Sequence, residues 1–313
     1  MNTSTRDVSA RRAWLMAARP QTLPIALSPV LVGTGLALDA GVFAPLPAAV
    51  ALVGALLIQI GTNFANDYYD AVQGADTEER EGFTRATAGG LIDPAAVKRA
   101  MWLTFAAAIL VGTYLVSVGG LPIVVVGLLS VAAGVAYTGG PYPLGYHGLG
   151  DLFVFVFFGL VAVTGTYYVQ AAAELGVDVL TLVPRPELVP LAAVVASLPV
   201  AALATDVLVV NNVRDREEDE TTGKRTLAVR FGYGPSRVQF LLLLGMAYTI
   251  PVVFAVTTGS LATLLPLLTL PYAALLTRTM LTETSGEALN PALERNGKLL
   301  AAFSALFGLG LAI

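Results

Sequence analysis

The sequence predicts an all-α integral membrane protein with nine transmembrane helices. Of its 313 residues, 56% are hydrophobic and only 13% are charged, whereas soluble globular proteins carry about 25% charged residues. A chain this poor in charge cannot cover its apolar surface in water, which excludes an ordinary soluble enzyme. Nine stretches are long and apolar enough to cross a hydrocarbon core of about 30 Å. We expect one transmembrane domain over residues 1–313, with residues 1–18 as a polar cytoplasmic segment.

The predicted spans come from windows of about 20 apolar residues. The first span is interrupted by Pro24 and Pro29, and the segment before it lacks the pattern of a signal peptide. The nine predicted spans are residues 21–38, 45–65, 98–117, 120–138, 150–172, 188–210, 237–257, 260–280 and 297–313.

The positive charges predict the orientation of these spans. If the N-terminus is cytoplasmic, only Arg185 of the 18 Lys and Arg residues falls in an outer loop. Cytoplasmic loops of membrane proteins carry an excess of Lys and Arg, and an error of one span would scatter these residues over both sides. The distribution therefore favours nine spans, a cytoplasmic N-terminus and a multi-pass protein of the cell membrane.

The composition also limits the chemistry. The chain has no cysteine and one histidine, which excludes disulfides, thiolate metal sites and cysteine nucleophiles and argues against a histidine-based metal centre. The net charge of −4 gives no indication of nucleic-acid binding.

The first of two acidic motifs lies at the inner end of the second predicted span. Carboxylates are costly at such a position. Helical residues three or four apart share a face, so we expect this motif to project from one side of the span. Its members are Asn63, Asn66, Asp67 and Asp70, with Asp76 further on.

The second acidic motif lies at the inner end of the sixth predicted span. Asp215 and Asp219 are four residues apart, and Asn212 precedes them by about one turn. An even number of helices separates the two motifs, so both must face the same side of the membrane. Each motif follows the second helix of a four-helix set, which indicates two pseudo-equivalent four-helix sets, a ninth helix, and a cleft between the sets.

Two facing acidic motifs favour a cation site. Hard oxygen ligands select Mg²⁺ or Ca²⁺, and Mg²⁺ is typically held by one or two carboxylates together with substrate phosphates. The motifs therefore predict Mg²⁺ ions that hold one diphosphate. The alternative is that these residues are helix caps and solvated loop charges. The repeated Asn and Asp pattern at equivalent places favours the metal site.

Cationic and acidic residues near the motifs are further candidates for substrate binding. Arg85 follows the first motif, and Lys224 and Arg225 follow the second. Bidentate Arg and point-charge Lys both suit diphosphate oxygens, although the positive-inside pattern alone could explain any one of them. Asp151, in the inner loop between the fourth and fifth predicted spans, could orient an aromatic substrate.

The residues Asn66-Asp67-x-x-Asp70 and Asp215-x-x-x-Asp219, together with nine predicted spans, resemble the UbiA-type intramembrane prenyltransferase superfamily. Within it, residues 137–151 and 157–170 are most similar to the 1,4-dihydroxy-2-naphthoate polyprenyltransferases of the menaquinone pathway. One departure is Ala88, where these proteins commonly have Gln. No Lys or Arg lies between Arg99 and Arg185, which counts against the 4-hydroxybenzoate enzymes.

The resemblance implies a Mg²⁺-dependent transferase in the lipid bilayer. Its substrates would be polyprenyl diphosphate and 1,4-dihydroxy-2-naphthoate, and its products demethylmenaquinone, CO₂ and diphosphate. The resemblance implies a catalytic role for four residues, Asp67, Asp70, Asp215 and Asp219. It implies metal binding by the same four residues together with Asn66 and Asp76. It implies substrate binding by Arg85, Lys224, Arg225, Asn63, Asn212 and Asp151.

Two alternatives stay open on the sequence. A superfamily member with another acceptor, such as homogentisate, a chlorophyllide or a glycerol lipid, would carry nearly the same motifs. A membrane transporter could also place acids within a helix bundle, but transporter sites lie near the bilayer midplane, whereas both motifs here lie at one face.

Overall fold

The structure is a computed structural model that describes residues 8–74 and 85–313, and these residues fold into helices and connecting loops without a strand. Numbered along the chain, the helices are α1 (Ala10–Ala18), α2 (Leu23–Asp39), α3 (Pro45–Val72), α4 (Pro94–Gly119), α5 (Leu121–Ala136), α6 (Gly150–Val154), α7 (Ala162–Leu175), α8 (Leu191–Arg214), α9 (Arg216–Thr221), α10 (Leu227–Phe231), α11 (Tyr233–Thr258), α12 (Leu270–Thr282) and α13 (Gly286–Ala312). A π-helical stretch, Phe155–Val161, joins α6 to α7, and a 3-10 stretch, Leu261–Thr269, leads into α12.

Within the described part of the chain, seven helical segments are long and apolar enough to cross a membrane. An all-helical, multi-pass membrane protein is therefore confirmed. The seven segments are Ala10–Asp39, Pro45–Val72, Pro94–Gly119, Gly150–Leu175, Pro186–Arg214, Tyr233–Thr258 and Leu261–Thr282.

The other two predicted spans correspond to α5 and to the C-terminal part of α13. α5 is a shorter apolar helix of 16 residues, bounded by Gly120, whose φ of 72° begins the turn from α4, and by Tyr137. α13 has 27 residues but carries Glu294, Arg295 and Lys298 in its first half. The count of nine spans and the orientation stay predictions.

Local sequence signals explain where several helices begin. The side chains of Ser9, Asp93, Thr226 and Ser285 each accept a hydrogen bond from a backbone N–H in the first turn of the helix that follows. Such N-caps satisfy amide groups that have no partner within the helix. They lie at the polar ends of apolar segments, so the caps fix the boundaries that hydropathy alone leaves open.

The segment Pro186–Arg214, which contains α8, is the most enclosed of the candidate spans, because 72% of its apolar stretch is buried inside the structure. α8 packs against α2, α7, α11, α13 and the π-helical stretch. Glycine permits the closest approaches around it. A Cβ atom at Gly159 would overlap Ala201 of α8, and one at Gly35 of α2 would overlap the backbone of Gly308 in α13. This packing holds α8 in place, and with it the acidic motif at its C-terminal end.

Replacement of Gly35 by Val should lower the thermal unfolding midpoint of the detergent-purified protein, because the new side chain forces α2 away from α13. Overpacking of a close contact costs about 1–3 kcal/mol. Gly245→Val in α11 is the matched control, since a Cβ atom there meets no other atom within 4 Å. Equal midpoints for the two variants would contradict the tight α2–α13 contact.

Candidate active site

A cavity of about 670 Å³ extends through the helix bundle. Its lining on α3 runs from Ala51 to Asp70, which corresponds to about 28 Å of helix at 1.5 Å per residue. One end is polar, because the C-terminal ends of α3 and α8 meet there. The rest is lined mainly by apolar side chains, including Val116, Ile123 and Val169. The cavity therefore combines a charged head with a long apolar body.

Asp70 is buried at the polar end, and both of its carboxylate oxygens have partners. The hydroxyl of Tyr146 donates a hydrogen bond to its Oδ1 at 2.5 Å, and the guanidinium of Arg85 lies 3.3 Å from its Oδ2. Its side chain is only 3% exposed. A buried carboxylate is stable when it is paired and hydrogen-bonded, and Asp70 meets both conditions.

Lys224 connects the two acidic motifs. Its Nζ lies 3.7 Å from Oδ1 of Asp70 and 3.7 Å from Oδ1 of Asp219. The same Nζ lies 4.8 Å from the centre of the Tyr146 ring, a distance at which a cation and an aromatic ring attract each other. The structure thus brings Asp70, Asp219 and Lys224 together, as the two-motif hypothesis requires.

Asp215 lines the cavity and is held by its neighbour Arg214. Nε and Nη2 of Arg214 lie 2.6 and 2.8 Å from the two carboxylate oxygens of Asp215. Arg214 also donates to the amide oxygens of Asn211 at 2.8 Å and Asn290 at 3.1 Å. A bidentate Arg–carboxylate pair fixes geometry as well as charge, so Arg214 orients Asp215.

Asp67 and Asn63 are hydrogen-bonded to other segments of the fold. Asp67 is absent from the cavity lining, and its Oδ2 accepts hydrogen bonds from the backbone N–H and the hydroxyl of Thr87. The amide of Asn63 reaches the cavity but donates to the carbonyl of Ala18 at 2.8 Å and to Thr22 at 2.9 Å. In this structure both residues anchor chain segments, and their assigned roles in metal and substrate binding stay predictions.

The other candidates divide between the cavity and the surface. Asn66 lines the polar end and accepts a hydrogen bond from Thr138 at 3.0 Å. Arg225 is exposed and outside the cavity lining, because consecutive residues in the extended segment after Gly223 point to opposite sides and Lys224 points inward. Asp76 lies outside the described residues.

Asp151 lies one layer behind the cavity wall. It is buried, and its two carboxylate oxygens accept hydrogen bonds from Asn212 at 3.5 Å and from Gln239 at 3.4 Å. Asn212 lines the cavity, whereas Asp151 does not. Asp151 therefore orients the Asn212 amide, and its effect on a substrate would pass through that amide.

The donor set at the polar end fits Mg²⁺ held jointly with a diphosphate. Among the described residues, no three Asp, Glu or His side chains form a metal cage on their own. Mg²⁺ usually takes only one or two carboxylates and completes its shell with water and substrate phosphates. Asp70 and Asp219, with the nearby amide oxygen of Asn66, offer such hard oxygen ligands.

Sequence reasoning missed four residues that shape this site, namely Tyr146, Arg214, Thr87 and Gln239. Arg214 adjoins the second motif, so its position in the sequence was a usable signal. Tyr146 lies in the segment 137–151 that carries the family resemblance. Thr87 and Gln239 contact their acidic partners only through tertiary packing, which no local pattern reveals.

The protein belongs to the UbiA prenyltransferase family, whose family model matches residues 26–306. It is therefore a prenyltransferase. It is 37% identical over 313 residues to the 1,4-dihydroxy-2-naphthoate octaprenyltransferase of Escherichia coli (strain K12), with 98% of this chain and 97% of that protein covered. It is 40% identical over 247 residues to the enzyme of the same name from Mycobacterium tuberculosis (strain ATCC 25618 / H37Rv), with 78% of each chain covered.

Solved structures share the fold. A UbiA homolog from Archaeoglobus fulgidus bound to DMAPP and Mg²⁺ superposes with a TM-score of 0.59 at 16% sequence identity, over 94% of this chain and 98% of that one. The expected UbiA-type fold is confirmed.

Tyr146→Phe should lower the rate of prenyl transfer about tenfold or more, because it removes a hydrogen bond to the buried carboxylate of Asp70 and keeps the ring beside Lys224. Hydrogen bonds to charged groups contribute about 1.5–3 kcal/mol. Tyr142→Phe is the matched control, since Tyr142 is on the same loop but 55% exposed. The measurement is initial rate in detergent, and equal rates for both variants would contradict the assigned contact.

Proposed function

We propose that this enzyme transfers a polyprenyl group from polyprenyl diphosphate to 1,4-dihydroxy-2-naphthoate, with Mg²⁺ as cofactor, and yields CO₂, diphosphate and demethylmenaquinol, the dihydroxy form that becomes demethylmenaquinone on later oxidation. The observation that carries the proposal is the meeting of Asp70, Asp219 and Lys224 at the head of a long apolar cavity. The names of the relatives that cover nearly the whole chain support the acceptor.

The charges at the cavity head suit a departing diphosphate. Arg85 and Lys224 lie within 3.3 and 3.7 Å of Asp70, so both cations face the same small volume. Fixed groups that stabilise developing charge usually contribute more to catalysis of this kind than any other effect. Asp70 and Asp219 would hold Mg²⁺, which when bound would supply further positive charge to the diphosphate.

The bond changes follow from the chemistry of the two substrates. The allylic C–O bond breaks and its electron pair leaves with the diphosphate. The ring carbon that carries the carboxylate then bonds to the first prenyl carbon. The bond from that ring carbon to the carboxylate breaks, CO₂ leaves, and the electron pair restores the aromatic ring. The apolar cavity wall excludes water, which would otherwise capture the allylic cation.

Asn212 is the side chain that we assign to the acceptor. It lines the cavity near the polar end, and Asp151 behind it fixes the direction of its amide. An oriented amide can hydrogen-bond a ring hydroxyl or the carboxylate of the acceptor. In this assignment the acceptor lies beside the allylic carbon, and Arg85 and Lys224 hold the diphosphate.

The proposal includes the orientation of the protein in the membrane. We assign nine spans, by adding α5 and the C-terminal part of α13 to the seven long segments, and a cytoplasmic N-terminus. The one-sided distribution of Lys and Arg supports this orientation. In that orientation the protein lies in the cell membrane and the polar end of its cavity faces the cytoplasm. Soluble metabolites such as the naphthoate can enter the cavity from that side.

The test uses the purified protein in detergent with Mg²⁺, octaprenyl diphosphate and carboxyl-labelled dihydroxynaphthoate. We expect labelled CO₂ and prenylated product in equal amounts. Asp70→Asn and Asp219→Asn should each lower the rate about 100-fold or more, because they remove the anionic oxygens that would hold Mg²⁺ against the departing diphosphate.

Glu220→Gln is the matched control, because Glu220 is exposed in the same short helix as Asp219. It should retain full activity. Diphosphate release with a different aromatic or lipid acceptor, and none with dihydroxynaphthoate, would overturn the assigned acceptor. An unchanged rate in Asp70→Asn and Asp219→Asn would overturn the assigned site.

A further inference from the structure

Four glycines face the cavity with open space before them. They are Gly54 of α3, Gly112 of α4, Gly127 of α5 and Gly165 of α7, one from each of four helices. A Cβ atom built at any of the four would meet no other atom within 4 Å. The side-chain positions at these residues therefore open into free volume.

Packing does not explain these glycines, in contrast to others nearby. A Cβ atom at Gly134, which also lines the cavity, would lie 2.5 Å from Oγ1 of Thr62, and one at Gly61 would lie 2.7 Å from the ring of Phe105. Those two glycines are required by close contacts. Glycine inside a helix is unfavourable relative to alanine, so the four open positions keep a destabilising residue without a packing reason.

The four glycines belong to the part of the cavity that lies far from the diphosphate site. Gly54 precedes Asp70 by 16 residues, or about 24 Å along α3 at 1.5 Å per residue. Gly127 precedes Tyr137 by about 15 Å of α5 on the same basis. The surrounding lining is apolar and includes Ala51, Ala55 and Val116. A chain of two isoprenoid units held at Asp70 is too short to reach Gly54.

We infer that Gly54, Gly112, Gly127 and Gly165 set the length of the prenyl chain that the enzyme accepts, by keeping the far half of the cavity wide enough for the distal isoprenoid units. The inference deepens the proposed function and depends on it for the prenyl diphosphate substrate. A larger side chain at any of the four fills the space that a long chain needs and leaves the space near the carboxylates unchanged.

The experiment compares two donors of different length with one acceptor in detergent. Gly54→Leu, Gly112→Leu and Gly165→Leu are each measured with octaprenyl diphosphate and with geranyl diphosphate. We expect kcat/KM for octaprenyl diphosphate to fall about tenfold or more, and kcat/KM for geranyl diphosphate to stay within about twofold of the unmodified protein. The corresponding Ala variants should give smaller losses in the same direction, because they remove less volume.

Gly245→Leu in α11 is the matched control. Gly245 is an exposed helical glycine with no atom within 4 Å of its Cβ position, and it does not line the cavity. This variant should leave kcat/KM unchanged for both donors. Equal losses with both donors, or no loss with either, would overturn the inference.

The unmodified protein separates this inference from the proposed function. Diphosphate release from octaprenyl diphosphate without prenylated naphthoate would contradict the proposed acceptor, and the comparison of chain lengths is then made on diphosphate release. Use of geranyl diphosphate but not octaprenyl diphosphate by the unmodified protein would contradict the inference alone.

Discussion

The burial of like charges around one lysine is the constraint on which the rest of this structure depends. Asp70 and Asp219 have side chains that are 3% and 9% exposed, and both lie beside Lys224. A buried ion costs several kcal/mol unless it is paired, and removal of one partner leaves the other uncompensated. Because Asp70 lies in the last turn of α3 and Lys224 follows α9, this pairing also fixes how the C-terminal ends of these two helices meet. In the proposed function, the same cationic side chain would help to balance the charge of the diphosphate.

Glycine serves two opposite purposes around the cavity. At Gly35, Gly159 and Gly308 it allows backbones to touch, so that α2, α13 and the π-helical stretch hold α8 firmly. At Gly54 and its counterparts on three other helices it removes side chains where nothing packs. The first group lets the helices around α8 pack closely, and the second leaves the apolar body of the cavity open. Both follow from the lack of a Cβ atom, and only the surroundings distinguish them.

Much of the fold was predictable because the signals are local. Hydropathy located the seven long apolar segments of the described residues. The spacing of three or four residues between the Asn and Asp side chains located both acidic motifs at helix ends. The directions of Asp67 and Arg225 were not predictable. Asp67 is hydrogen-bonded to Thr87 and does not line the cavity. In the extended segment after Gly223, Lys224 points inward and Arg225 points outward. These directions depend on contacts between segments that are distant in sequence or on backbone angles that the residue pattern does not encode. The resemblance to the UbiA family, confirmed by the family match, predicted more of the function than the spacing of the acidic residues did, because it rested on whole segments of the sequence.

The place of Asp151 shows how an acid can assist in a site that handles anions. The diphosphate is negatively charged, and so is the carboxylate of the proposed acceptor. A carboxylate on the cavity wall without a cation would repel both. Asp151 instead lies behind Asn212, where Gln239 and Asn212 satisfy its oxygens. There it accepts a hydrogen bond from the neutral amide of Asn212, and in the proposed function that amide, not the carboxylate, faces the acceptor. Among the described residues, the carboxylates that do line the cavity each have a cationic side chain within 4 Å, namely Asp70, Asp215, Asp219 and Glu294. The division between them and Asp151 therefore follows the distribution of positive charge.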